Sequence, residues 1–251
     1  MMRLVIAPAK RFHPPEQVYA EVTRPLLMDE TQRLLTVMKE KTAEQLQSML
    51  GCSRTLAEQA WQQYQHMDLQ ARGSAALLTY DGIQYATMAP HVFSDEEMAY
   101  LNEHLRIISG FYGILRPSDG IVPHRLEMDT PFHTSFCRSL NDFWGSKVAE
   151  VLGEQASVIV DLASAQHSRI LKTHLRRCPL IKCWFKEETA MGLREKGVYV
   201  KIARGEMVRF AAAIQAQSPQ QLKQFSARGY RFRADLSDPY NYVFSRKEEQ
   251  R

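Results

Sequence analysis

The stretch ASVIVDLAS (156–164) runs straight into AQHSRILKTHLR (165–176). The first segment is short, apolar and rich in β-branched residues, so it reads as a buried strand. The second places Ile170 and Leu171 among basic residues at helical spacing, so it reads as a basic helix. Strands that alternate with helices in this way make the chain α/β or α+β. RLVIAPAKR (3–11) repeats the pattern at the other end of the chain, as a buried strand that stops at Pro8 and delivers Lys10 and Arg11 to a loop. LIKCWF (180–185) and GVYVKIA (197–203) read as further strands, and RGEMVRFAAAIQA (204–216) as a helix. Ser218, Pro219 and Gln221 announce one more helix ending near Gly229. YRFRADLSDPYNYVFSR (230–246) alternates aromatic with polar residues about an Asp-Pro turn, as a hairpin does.

The helical signals between these strands are specific. Thr42 and Gln45 form a capping box, Leu46, Met49 and Leu50 make an apolar stripe, and Gly51 stops the helix. Ser53 caps the next helix, which carries Leu56, Ala57, Ala60, Trp61 and Tyr64. This unit, about 43–66, has the outline of a helix-hairpin-helix, whose hairpin N–H groups grip a phosphate, with Gly51 and Arg54 as contacts. It carries one glycine in the hairpin where such motifs usually have two, so on spacing alone an ordinary two-helix hairpin that buries its stripe is the better match. Ser94 and Glu97 box a further helix whose Met98, Leu101, Leu105 and Ile108 recur at helical spacing up to Gly110. No repeat or low-complexity linker interrupts the 251 residues. The expected architecture is therefore mixed α/β, a single compact domain over 1–251 with the helical unit as an insertion.

Composition narrows the function. At 45% hydrophobic residues the chain can build a real core, and no run approaches the roughly 20 apolar residues of a membrane span. The N-terminal segment turns polar too soon for a signal peptide, so the expectation is a cytoplasmic protein without a membrane partner. Cys52, Cys137, Cys178 and Cys183 lack metal or disulfide spacing, and neither a metal nor another cofactor is expected. Net charge is only +4, but residues 1–164 carry 14 Lys and Arg against 20 Asp and Glu, while 165–251 carry 18 against 8. Between Ala165 and Lys186 there are six basic residues, Arg177 among them, and no acidic one. A polyanionic partner fits that imbalance, as does a plain solvated face.

SGFYGILRPSDGIVPHRLEM (109–128) gathers arginines, carboxylates, glycines and prolines into one stiff loop. Lys10, Arg116, Arg125, Arg204 and Arg209 fall at strand ends, in this loop or at a helix start, where binding groups gather, and guanidinium groups suit phosphate. Arg116 and Arg125 can equally pair with Asp119 and Glu127 to tie the loop down. Asp81, Asp119, Glu127, Asp161, Ser164, His124 and His167 offer acid, base or nucleophile. Asp119, Glu127 and Ser164 are the catalytic candidates, although Ser164 also suits a helix cap. Nucleophile-elbow, P-loop and dinucleotide fingerprints are absent from the sequence.

HLRIISGFYGILRPSDGIVPHRLEM (104–128) closely resembles the bacterial YaaA family segment Leu-Ser-Gly-Leu-Tyr-Gly-x-Leu-Arg-Pro-x-Asp followed by Pro-Tyr-Arg-Leu-Glu-Met. The likeness continues through APAK (7–10), DGIQY (81–85), LNDFWG (140–145), DLAS (161–164), ARGEMVRF (203–210), GYRF (229–232) and YVFSR (242–246). The resemblance implies a peroxide stress response protein that limits unincorporated iron and hence iron-driven DNA damage. It further implies a single-domain α/β fold with a positively charged cleft, and a helix-hairpin-helix that binds double-stranded or structured DNA. Arg169 joins the phosphate contacts where the family has Lys, and His124 stands at a family Tyr. Asp161, Gln166 and His167 replace family Asn, Glu and Tyr, and Thr87 replaces a usual glycine. No obligatory protein partner is expected. The rival expectation is an enzyme acting on a nucleotide or modified base in the same basic cleft.

Overall fold

In a computed structural model the chain is described over residues 1–15, 22–154, 156–176 and 178–248. Arg177 of the basic run falls outside these residues. Among them, eight strands make one sheet: β1 (Met2–Ile6), β2 (Leu105–Ser109), β3 (Gly113–Leu115), β4 (Val158–Asp161), β5 (Leu180–Thr189), β6 (Gly192–Arg194), β7 (Arg231–Phe232) and β8 (Asn241–Lys247). The order across the sheet is β7-β8-β5-β4-β1-β2-β3, with β6 hairpinned onto β5. β2, β1, β4, β5 and β8 run parallel, whereas β3, β6 and β7 are antiparallel additions.

The parallel centre explains why these strands are apolar along their whole length. β1 and β2 are buried at every residue because layers cover both faces of the sheet. The principal helices are α1 (Met28–Lys39), α2 (Ala43–Leu50), α3 (Arg54–His66), α4 (Ile83–Met88), α5 (Asp95–His104), α6 (Lys147–Gly153), α7 (Ala165–His174) and α8 (Gly197–Ala213). The chain leaves β1 toward β2 on one side and leaves β4 toward β5 on the other. The boundary between β1 and β4 is thus a topological switch point, where open α/β sheets form a crevice beyond their strand ends.

Several local expectations match. Thr42 and Gln45 exchange both capping-box bonds, Gly51 closes α2 in the left-handed conformation, and Ser94 with Glu97 boxes α5. The tail is a hairpin in which Phe232 faces Phe244, and Tyr230, Tyr242 and Phe244 belong to the core.

Three expectations require correction. The helix from Ser94 ends at His104, and Leu105–Ser109 forms β2. The apolar spacing crosses this boundary by coincidence, while the β-branched pair Ile107–Ile108 has its register set by pairing with β1. GVYVKIA is the start of α8 and not a strand. Val198 is exposed, and burial falls on Val200, Ala203, Arg204, Met207, Val208 and Ala211, so helical packing overrides β-propensity. Beyond Ser218 the α-helix covers only Pro219–Leu222, followed by a separate 3-10 turn at Ala227–Gly229, because Leu222 and Phe225 are too short an apolar stripe to hold a longer helix against the core.

Candidate functional site

The switch point opens into a cavity of about 630 Å³, a volume within the usual range for small-ligand sites. The turn after β1 contributes Ala7 to Phe12. The turn after β4 and the start of α7 contribute Ser164, Gln166 and His167. α4 brings Gln84 and Tyr85, the 109–128 stretch brings His124 to Glu127, and α8 brings Lys201 and Arg204. Five cationic side chains line the space, Lys10, Arg11, Arg125, Lys201 and Arg204, against the carboxylates of Asp81 and Glu127.

The floor is fixed by a buried charge. Asp161 and Lys182 are register partners in the β4–β5 pair, and Lys182 Nζ donates to Asp161 Oδ2 (3.0 Å), Ala163 O (2.6 Å) and Ser168 Oγ (3.2 Å). Asp161 Oδ1 accepts from the Ala163 N–H at 2.8 Å. One ammonium therefore ties the end of β4 to the first turn of α7 and sets where Ser164 and His167 point. Burial lowers the Lys182 pKa, opposed by the Asp161 charge.

Ser164 occupies the N-cap of α7, yet its hydroxyl makes no capping bond. Its Oγ lies 2.8 Å from His167 Nδ1, where either atom can donate according to the imidazole tautomer. His167 is 4% exposed, and burial pulls its pKa down to about 4, so the ring is neutral at pH 7. His167 Nε2, Gln84 Nε2, Arg125 Nε and Arg204 Nε are buried without a hydrogen-bond partner, and all four residues line the cavity. A buried polar atom left unpaired costs about 1–3 kcal/mol, which makes this group a chemically unfulfilled part of the fold.

The walls are rigid. Gly205 lets α8 approach α4 closely, because a Cβ there would meet Gln84 O at 2.4 Å. Tyr85 donates to Ala7 O at 2.9 Å, which fixes the turn after β1. Tyr64 of α3 donates to Arg125 O (2.8 Å) and accepts from Arg125 N (3.2 Å), so the two-helix hairpin anchors the backbone of the 109–128 stretch. His124 packs among Phe12, Phe111 and Tyr112 at ring separations of 4.9 to 5.1 Å, with its pKa pushed down to about 4 by burial. It is a neutral aromatic wall.

Of the residues singled out from sequence, Lys10, Arg11, Asp81, His124, Arg125, Glu127, Ser164, His167 and Arg204 meet in the cavity. Lys10 Nζ and Glu127 Oε1 form an ion pair at 2.6 Å. Arg116 and Asp119 lie outside the lining. Buried Asp119 accepts from Thr23 Oγ1 (2.7 Å), Arg116 N (2.7 Å) and Arg116 Nε (3.0 Å), which is the internal tie of the loop. Arg169 is exposed on α7, and Arg209 donates to Met88 O beside the Phe93 ring. Gly51 sits at the α2–α3 turn with open space around it, and exposed Arg54 pairs with Glu58 at 2.8 Å. Gln84, Lys182 and Lys201 were not legible as site residues, although a lone Lys inside an apolar strand is a usable signal of a buried ion pair.

Residues 2–236 match the family model described as peroxide stress protein YaaA. The chain belongs to that family. It is 41% identical to a UPF0246 protein of Desulfitobacterium hafniense over 97% of both chains. It is 38% identical to a UPF0246 protein of Pediococcus pentosaceus and 36% identical to one of Agathobacter rectalis, in each case over 98% of this chain and 99% of the relative. Gln166 and His167 line the cavity, whereas Thr87 lies where α4 meets Gly205.

Proposed function

We propose that this YaaA-family protein acts in the peroxide stress response inside the cell by binding DNA and limiting its iron-driven oxidation. DNA phosphates lie against the cations of the switch-point cavity. The observation that carries this is the convergence of Lys10, Arg11, Arg125, Lys201 and Arg204 from separate parts of the chain onto one crevice with only two carboxylates. The α2–α3 hairpin is tied to the cavity wall through Tyr64, which holds the backbone of Arg125, and in this reading Gly51 and Arg54 at its tip touch the flanking strand. Among the described residues no group of three or more His, Cys, Asp or Glu could hold a metal ion, and no helix is long and apolar enough to cross a membrane.

A second reading, an enzyme acting on a nucleotide, draws on the Ser164–His167 contact and the Lys10–Glu127 pair within the same cavity. The two separate in a plasmid-nicking experiment with ferrous iron and peroxide. The DNA-binding reading predicts that the native protein slows nicking in proportion to bound DNA, and that Lys10→Ala/Lys201→Ala loses this protection. Equal nicking with and without bound protein would refute it.

A further inference from the structure

Phosphate binding alone does not account for the cavity. A backbone phosphate needs cations at a surface, whereas here nine-tenths of Gln84, His167 and Arg204 is buried, and each carries a nitrogen without a partner. Arg125 Nε is a fourth. Apolar and aromatic side chains, Phe12, Ile83 and Leu126, share the lining with them. Half-buried Phe12 is held by the Tyr80 and His124 rings at 5.3 and 4.9 Å.

We propose that this cavity seats one nucleotide unit, with its base against Phe12 and read by Gln84, and its phosphate on Arg125 and Arg204. The chemistry follows from the donor set. Arginine N–H groups pair with phosphate oxygens, a side-chain amide reads the polar edge of a base, and an aromatic face takes a base by stacking. A cavity of about 630 Å³ has room for a single small ligand and is too small for a duplex. A nucleotide in a strand can reach it only by leaving its stack, and the cost of unstacking is least where the base is already unpaired. Neutral His167, held by Ser164, then offers Nε2 to the ligand in the tautomer that Ser164 selects. The proposal rests on the DNA-binding reading only for the source of the nucleotide, which can be a strand or a free monophosphate.

Three titrations with the full chain at one salt concentration test it: a short paired duplex, the same duplex with one unpaired bulged nucleotide, and the free deoxynucleoside monophosphates as competitors. We expect the bulged duplex to bind about ten-fold tighter than the paired one, since stacking and edge contacts add to the phosphate term. Monophosphates should abolish that advantage. Gln84→Met, which keeps length and removes the amide, and Phe12→Leu, which removes the ring, should each bring the ratio toward one in protein that melts normally. Should either variant fold poorly, the native comparison and the competition decide alone. Equal affinity for both duplexes with no monophosphate binding overturns the nucleotide pocket and leaves DNA binding standing. Monophosphate binding without affinity for either duplex supports the pocket and overturns the DNA reading.

Discussion

Gly205→Ala tests how the cavity is built. The added methyl would sit 2.4 Å from Gln84 O, 3.1 Å from Met88 N and 3.1 Å from Thr87 Cβ, the first two being backbone atoms that no rotamer change can move. An ordinary contact is roughly 3.5–4.0 Å, so α4 and α8 must separate by about 1 Å. Overpacking of this kind costs roughly 1–3 kcal/mol, offset by up to about 1 kcal/mol from the better helix propensity of alanine. The net expectation is a loss of about 1–2 kcal/mol, or a Tm lowered by roughly 2–8 °C in a chain of this length. Gln84 and Arg204 face each other's helices across this contact, so ligand affinity should fall more than stability. Gly197→Ala in the same helix meets nothing within 4 Å and provides the control, expected to be neutral or slightly stabilising. Urea and thermal unfolding of both variants, with DNA titration of each, give the readout. If Gly205→Ala matched Gly197→Ala in Tm and in affinity, close helix contact would not be what positions Gln84 and Arg204.

Stability should also fall on mild acidification. His124 and His167 titrate near 4 when folded and near 6.5 when unfolded, so the unfolded chain binds more protons in that window. The stabilisation is complete above pH 6.5 and is lost as pH falls toward 4, by about 2 kcal/mol per histidine at pH 5. Urea midpoints at pH 7.5 and 5 measure it, and His124→Phe, which keeps a ring among its aromatic neighbours, should roughly halve the loss. Lys182→Met removes the cation that ties β4, β5 and α7 together and leaves Asp161 buried without its charge partner. It should cost about 3–5 kcal/mol in denaturant unfolding, and a loss below 1 kcal/mol would mean that the tie is dispensable. Asp119→Ala frees Thr23 and Arg116 together. A melting point lowered by several degrees with an unchanged salt slope for DNA is expected from a residue that braces the loop.

Much of the fold is legible in local chemistry. The buried strands at 2–6 and 158–161, both capping boxes and the tail hairpin follow from residues a few positions apart. What failed depends on distant partners. Leu105–Ser109 continues a helical rhythm and becomes a strand only because β1 offers it a hydrogen-bonded edge. GVYVKIA becomes helix because α4 packs on its continuation at Gly205. The site divides in the same way. Arginines in the stiff loop and at a helix start announced Arg125 and Arg204, but nothing local separates them from Arg116, which spends its donors on Asp119 and Arg24 O. Gln84 has no chemical signature until the fold buries its amide beside the strand ends.

Duplex DNA affinity measured across a salt series, for the native chain and for Lys10→Ala/Lys201→Ala, is the most direct test of DNA binding in the cavity. Each phosphate contact contributes about 0.9 to the slope of log affinity against log salt, so two lost contacts should flatten it by about 1.8 while the protein melts normally. A steep slope that is identical in both proteins would place DNA elsewhere on the surface and contradict the account.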